Sequence, residues 1–396
     1  MNGARVEWHS VFAQAFKKFV AECYFLDVGQ GASQVINLGG GNAIVIDCGP
    51  NGHVLCDLLR RKLRITRIAA LILSHNHQDH VGGMPAVVRN YRKAIDHIYL
   101  LQDMDAKKLQ ASKTFRFLEE EHTKGNIPAP IPLIQASSNH CLYPSINQDE
   151  NALKLNLLFP DFFDNVHGQT SQNQNHTCGV LLLECGEKRI LFPGDAEIDA
   201  WRTIYKKRNE QSVRCDVMAI PHHGGQIVRY RKKDETYDEL HEAISSGLEW
   251  MYTQAIVSTT TVVSVGTSNS YPDQHPLPPQ IDAVRKSGSC VMCTQITKRC
   301  VEDVESVRPG VLASQDFPCQ SSSSKVATTS GQPKDVACAG TVLVSIGPKD
   351  ISVYRQAEHQ NAVDTRLCCE HETPLCRSAS GKAEKDKSDG QNNPGK

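Results

Sequence analysis

The sequence predicts an α/β fold in which mixed β-sheets are covered by helices. Short runs rich in β-branched and aliphatic residues recur between glycine turns, as in "ECYFLDVGQG" and "GGGNAIVIDCG". Segments with helical spacing separate several of these runs, as in "HVLCDLLRRKL", with apolar Val54, Leu55, Leu58 and Leu59. The chain has 396 residues, enough to bury a large core. Strands alternating with helices are the pattern of helix-covered sheets.

Residues 1–20 are an extension ahead of a domain spanning 21–301. Within it, "ECYFL", "SQVINL" and "NAIVID" are strands joined by glycine turns. "RIAALILS" is a continuous apolar run, the mark of a strand buried on both faces. "MPAVVRNYRKA" has helical spacing and "IDHIYLL" is a strand. A helix over "DAKKLQASKTFRFLEEEHTKG" leads into the proline-rich "NIPAPIPLI". Strands resume with "LKLNLLFP", "CGVLLLEC" and "KRILFPGD". A helix at "EIDAWRTIYKKR" then precedes the strand "CDVMAIPHHGG". Further strands are read at "AIVSTTTVVSVG" and "SCVMCTQIT". Residues 302–336, with "SSSSKVATTSGQPKD", read as a flexible insertion. "GTVLVSIGPKDISVYR" is a hairpin that closes the same domain within 337–360. The polar stretch 361–396 reads as a disordered tail. No internal repeat is evident.

Composition removes some functions. Lys+Arg 43 against Asp+Glu 44 gives a net charge of −1, so no global basic field recruits nucleic acid or membrane. The apolar run "IAALIL" is far too short to span a bilayer, and no membrane insertion is expected. "MNGARVEWHSVFAQAFKKF" lacks the apolar core of a signal peptide, which points to a cytoplasmic protein. The 15 cysteines, an odd number without a regular framework, are expected as free thiols. "CVMC" and "CCEHETPLC" have partial zinc-knuckle spacing without a matching second pair, and read as ordinary thiols.

The chemistry gathers in "LILSHNHQDHVGG". His75, His77, Asp79 and His80 crowd the end of a buried strand. Neutral imidazoles and carboxylates are the ligand set of zinc and related divalent metals. A buried carboxylate without a partner costs several kcal/mol, roughly, and a cation removes that cost. Gly82 and Gly83 permit the tight exit that lets the ligands converge.

"SHNHQDHVGG" resembles the His-x-His-x-Asp-His signature of metallo-β-lactamase-fold hydrolases. Together with "FLDVGQG", "VIDCG", "LFPGDAE", "IPHHGG" and "SVGTSNSYPDQHP", it is similar to the hydrolase domain of the ComEC competence proteins, without their membrane channel. The resemblance runs from about Ala21 to Ile296 and resumes near the final hairpin. It implies a metallo-β-lactamase-like four-layer αββα sandwich of two mixed β-sheets, with metals at one edge between them. On that pattern His75 and His77 bind one metal, Asp79 and His80 a second, and Asp195 bridges both. His222 completes the second position, with His223 as the alternative. His176, in "QNQNHTCGVLLL", is a candidate third ligand of the first metal or a loop residue, and Asn175 and Cys178 correspond to the polar pattern ComEC-type sequences have there. Asp47 matches a carboxylate that orients ligand histidines. Asp27 lies in a loop beside the site, where relatives continue with an aspartate and this chain has Ala32. Asn269, Tyr271 and His275 suit substrate phosphate oxygens or belong to a structural loop.

These roles imply two divalent ions, zinc first and manganese as the alternative. Such a pair lowers the pKa of a shared water towards ~7. The expected activity is hydrolysis of a phosphodiester, with single-stranded nucleic acid as one form of substrate. Basic runs "RRKLRITR", "YKKR" and "RYRKK" could track a backbone, although such runs are more often solvated faces. The alternatives are a hydrolase of a small phosphoester or other ester, and a catalytically quiet binding module. Redox members of the fold carry a glutamate where His77 stands, which disfavours a di-iron oxidase.

Overall fold

A computed structural model describes residues 19–100, 109–132, 141–143, 152–161, 164, 174–228, 235–267, 275–297, 299–300, 336–355, 374 and 376. The first sheet contains β1 (Ala21–Phe25), β2 (Gln34–Gly39), β3 (Asn42–Ile46), β4 (Arg67–Leu73), β5 (Ile98–Leu100) and β6 (Ile131–Pro132). Strands β14 (Val342–Ile346) and β15 (Ile351–Tyr354) join its other edge, giving the order β15-β14-β1-β2-β3-β4-β5-β6. The second sheet runs β13-β12-β11-β10-β9-β8-β7, built from β7 (Cys141–Tyr143), β8 (Leu153–Phe159), β9 (Val180–Cys185), β10 (Lys188–Phe192), β11 (Val213–Ala219), β12 (Ile256–Val263) and β13 (Cys290–Cys293).

Both sheets are mixed. Pairing is antiparallel from β15 through β3 and parallel from β3 through β6. It is antiparallel among β7 to β10 and parallel from β10 through β13. Phe25, Ile44 and Ile72 of the first sheet share a buried core with Leu155, Leu181 and Phe192 of the second. The rings of Phe25 and Phe192 stack at 5.8 Å between centroids. Leu71 is buried on the opposite face of β4 from Ile72, which is why its sequence is continuously apolar.

Helices cover the outer faces. Over the first sheet lie α1 (His53–Asp57), which runs on as a wide turn through Leu58–Lys62, and α3 (Met84–Asn90). The short α2 (Gln78–Val81) precedes α3, and α4 (Leu109–Thr123) adds Leu118 to the same outer core. Over the second sheet lie α5 (Ile198–Lys207), α6 (Tyr237–Trp250) and α7 (Pro278–Lys286), with Trp201, Leu248 and Val284 buried. This gives the four layers that the resemblance implies.

Helices α6 and α7 fall where the sequence reading named no element. Thr236 and Glu239 form a complete capping box at the start of α6, and Pro278 and Pro279 occupy the first turn of α7. Residues 1–18 of the extension and 302–335 of the expected insertion lie outside the described residues. So does nearly all of 361–396, although Pro374 is buried and Cys376 packs against the outer core of the second sheet. Among the described residues no helix is long and apolar enough to cross a membrane.

Candidate metal centre

Strands β3, β4, β10, β11 and β12 deliver their C-terminal ends to one edge of the sandwich, where the loops converge, as in other sheets with parallel strands. β3 ends in Asp47, β4 in Ser74 to His80, β10 in Gly194 and Asp195, β11 in His222 and His223, and β12 in Ser264. The close approach of these loops depends on glycine. A Cβ on Gly83 would stand 2.2 Å from the Cys48 carbonyl oxygen, and one on Gly82 2.2 Å from that of Pro50.

Among the described residues two groups of potential ligand atoms result, each with its atoms within 4.8 Å of one another: His75, His77 and Asp195, and Asp79, His80 and His223. Asp195 faces both. Its Oδ2 lies 3.4 Å from His75 Nε2, and its Oδ1 lies 3.1 Å from His80 Nε2 and 3.7 Å from His223 Nε2. His223 Nε2 is also 3.3 Å from Asp79 Oδ2.

The resemblance implies His222 in the second group, with His223 as the alternative; the structure brings His223 there. Both residues have left-handed backbones, φ 52° and 54°, so the two adjacent side chains diverge. His223 donates from Nδ1 to the Ser264 carbonyl at 2.9 Å, which turns Nε2 inward. His222 donates from Nδ1 to the Gln226 carbonyl at 3.0 Å and stays 22% exposed, with Nε2 3.7 Å from Asp195 Oδ2. Its ring meets that of His275, which is buried, at 5.4 Å between centroids.

Asp47 sits behind the cluster with a left-handed φ of 54°. Its Oδ1 accepts from the Ser74 N–H at 2.8 Å, and its Oδ2 accepts from the Ser74 hydroxyl and His80 Nδ1, each at 2.7 Å. Asp27 is buried: its carboxylate accepts from Gln295 Nε2 at 2.7 Å and from the Gly29 N–H, bracing the loop after β1. His176 lies in a one-turn segment, Gln174–Thr177, with its side chain outside the described residues; Asn269 and Tyr271 lie outside them entirely. Two contributors were not singled out in the sequence, Ser74 and Ser264. A lone serine beside a histidine gives no signal of its own.

Electrostatics separate the two groups. Burial, and next the neighbouring His80, lower the pKa of His75; burial takes that of His77 down to about 3. Both rings are therefore neutral at pH 7. For His80 burial works the same way, but the Asp195 and Asp47 carboxylates prevail and raise it well above the usual range. His223 is raised too, because Asp195 and Asp79 outweigh its burial. Asp195 is held far below the carboxylate range despite burial, chiefly by His80 and then His222.

The donor set fits a divalent cation. His80 Nδ1 and His223 Nδ1 both face oxygens that only accept, so each neutral ring carries its lone pair on Nε2. Those two Nε2 atoms point at each other across 3.1 Å. Lone pairs so opposed repel unless a cation, or one extra proton, lies between them. His75 Nε2 and Asp195 Oδ1, shielded from solvent, make no hydrogen bond. A cavity of about 20 Å³ behind His80, Asp195 and His223 is large enough for one water-sized particle.

Residues 26–200 match the family model described as the metallo-beta-lactamase superfamily. Over these residues the chain matches a metallo-β-lactamase-superfamily domain. Among curated proteins it is 26% identical over 208 residues to the uncharacterized protein YcaI of Escherichia coli (strain K12), covering 51% of this chain and 22% of that one. It is 22% identical over 214 residues to ComE operon protein 3 of Bacillus subtilis (strain 168), covering 53% and 22%. The match thus spans about a fifth of the length of either relative. Among solved structures, Tm1679, a metal-dependent hydrolase of the β-lactamase superfamily, aligns with a TM-score of 0.37 at 12% identity, over 69% of this chain and 95% of that one.

Proposed function

We propose that the protein is a hydrolase working with two divalent ions, zinc first and manganese as the alternative, and that it cleaves a phosphodiester. The observation that carries this reading is the pair of histidine–aspartate groups sharing Asp195, with the Nε2 atoms of His80 and His223 facing each other at 3.1 Å. His75, His77 and Asp195 would hold one ion; Asp79, His80, His223 and the second oxygen of Asp195 the other. Such ions, when bound, acidify water and polarise an ester oxygen.

The chain's own residues do the rest. Asp47 fixes the Nδ1–H tautomer of His80, and the Ser264 carbonyl that of His223, so both present Nε2. His222, on the open side of Asp195, is assigned to the substrate, with its Nδ1–H held by Gln226. His275, whose pKa burial brings down to about 4, backs it as a neutral ring. Asn269 and Tyr271 remain candidates for the phosphate oxygens.

The phosphodiester assignment rests on the ComEC-like motifs, and one surface feature favours a nucleic-acid strand. An open cleft of about 880 Å³ between α1 and α3 is lined by His53, Arg60, Arg61, Arg89 and Asn90. It begins at Gly52, which packs on Gly83 at the exit of the histidine motif. Asp57 partly neutralises Arg61 at 3.1 Å, whereas the Arg60 guanidinium donates to the neutral Asn90 at 2.7 Å and keeps its charge for a ligand. The run "YKKR" is less suited, because Lys207 is paired with Asp161 and Asp164. "RYRKK" lies outside the described residues.

The test is turnover on single-stranded DNA, RNA, a chromogenic phosphodiester, a β-lactam and a thioester at two salt concentrations. A phosphodiester should be preferred, and strand binding should weaken steeply with salt. Replacing Arg60 and Arg89 should flatten the log–log slope by about 0.7 for each phosphate no longer neutralised. Preference for the thioester or lactam contradicts the phosphodiester reading. Inactivity of metal-loaded protein on all five favours a binding module.

A further inference from the structure

The histidines of the two groups are backed by unlike partners. His80 donates to the Asp47 carboxylate at 2.7 Å, and His223 to a backbone carbonyl at 2.9 Å. Both acceptors are strong, and both push electron density towards the Nε2 that faces the centre. His75 Nδ1 instead meets the Ser74 hydroxyl at 3.1 Å and the Cys178 thiol at 3.4 Å. Ser74 has a single hydroxyl proton, and the carboxylate of Asp47 at 2.7 Å takes it. Only a neutral oxygen lone pair is left for His75. The Cys178 sulfur already accepts the Asp195 N–H at 3.1 Å.

This arrangement is packed into place. Ser74, His75 and Cys178 are all buried. Gly194, at φ +52°, is the residue against which the sulfur rests: a Cβ there would stand 2.5 Å from Cys178 Sγ and 3.2 Å from Ser74 Oγ.

We propose that the two metal positions are unequal: the Asp79–His80–His223 position fills first and holds its ion tightly, and the His75–His77–Asp195 position is exchangeable, with Ser74 and Cys178 as its positioning residues. This rests on the two-ion reading above. A change of outer partner typically alters metal affinity by about 10–100-fold, which sets the expected separation of the two steps.

The experiment is a zinc titration of metal-depleted full-length protein against a chromophoric chelator. Two steps separated by about 10-fold or more are expected. His77→Ala should abolish the weaker step and keep the tighter one; His223→Ala should do the reverse. Ser74→Ala and Cys178→Ala should each weaken the second step by a further several-fold. Ser74→Thr, which keeps the hydroxyl, should restore it, and urea unfolding of each variant separates positioning from misfolding. Two steps of equal affinity, or loss of the tight step in His77→Ala, overturn the proposal while leaving two ions in the site. Failure to bind more than one ion overturns the two-ion reading itself.

Discussion

Asp47→Asn probes the centre with almost no change in shape. Residue 47 has a left-handed φ of 54°, which asparagine adopts readily, so the backbone should not respond. The carboxylate accepts three hydrogen bonds, from Ser74 N–H, Ser74 O–H and His80 Nδ1–H. An amide cannot replace all of them. If its oxygen faces Ser74 O–H and His80, its NH2 opposes the Ser74 N–H. That leaves a buried donor without an acceptor, at a cost of about 1–3 kcal/mol. If it turns the other way, its NH2 faces His80 Nδ1, and His80 must shift its proton to Nε2. The ring then no longer presents a lone pair to the centre, and zinc affinity should drop by about 10–100-fold. One loss or the other must appear. Urea unfolding of the metal-free variant measures the first, and chelator competition the second. Stability within about 0.5 kcal/mol of wild type, together with unchanged zinc affinity, would refute the role given to Asp47.

Four further outcomes are expected. Asp195→Ala should abolish turnover with the circular dichroism spectrum intact, because a carboxylate between the two groups serves chemistry rather than core packing; retained turnover with normal metal content removes it from the site. Gly83→Ala should destabilise by about 1–3 kcal/mol, since the new Cβ meets backbone atoms of Cys48 and Gly52 that cannot yield; an unchanged urea midpoint contradicts this. Deleting 361–396 should leave metal content and turnover in place but lower the unfolding midpoint, because Cys376 packs on the outer core of the second sheet; loss of metal would tie the tail to the centre. Exposed Cys290 should react fast with a maleimide, whereas Cys48, Cys178, Cys293 and Cys338, whose pKa values burial pushes well up, should react only on unfolding, as peptide mapping would show.

Acid should also loosen one surface link. Burial opposes ionisation of Asp161, but hydrogen bonds from Lys207 more than offset it and hold its pKa below the usual range. A depressed folded pKa means that the pair contributes above the ordinary carboxylate range and that this contribution is lost as pH falls through the folded value. Lys207→Gln should therefore cost at most about 1 kcal/mol at pH 7 and less in strong acid; a cost that grows on acidification reverses the sign.

Much of the architecture is legible in short stretches. "RIAALILS" announces a strand buried on both faces, and β4 is one. "GTVLVSIGPKDISVYR" announces a hairpin, and β14 and β15 pair antiparallel. What escapes is non-local or depends on backbone sign. Nothing in "AECYF" says that Ala21 pairs with Ile346, which closes the first sheet across most of the chain. Helix α6 was open to discovery through Thr236 and Glu239, yet the weakly patterned "LHEAISSG" hides it. At the centre, the motif residues gather as their spacing suggests. The choice between His222 and His223 turns on two consecutive left-handed residues and on carbonyls of Gln226 and Ser264, none of which a residue type reveals. Ser74 is equally silent, because its importance comes from what stands behind His75.

The most direct test of the account is elemental analysis of protein purified without chelator, then depleted and reloaded with zinc or manganese. The account predicts two ions per chain, falling to one in His77→Ala and one in His223→Ala. A chain that arrives metal-free and takes up neither ion would contradict it.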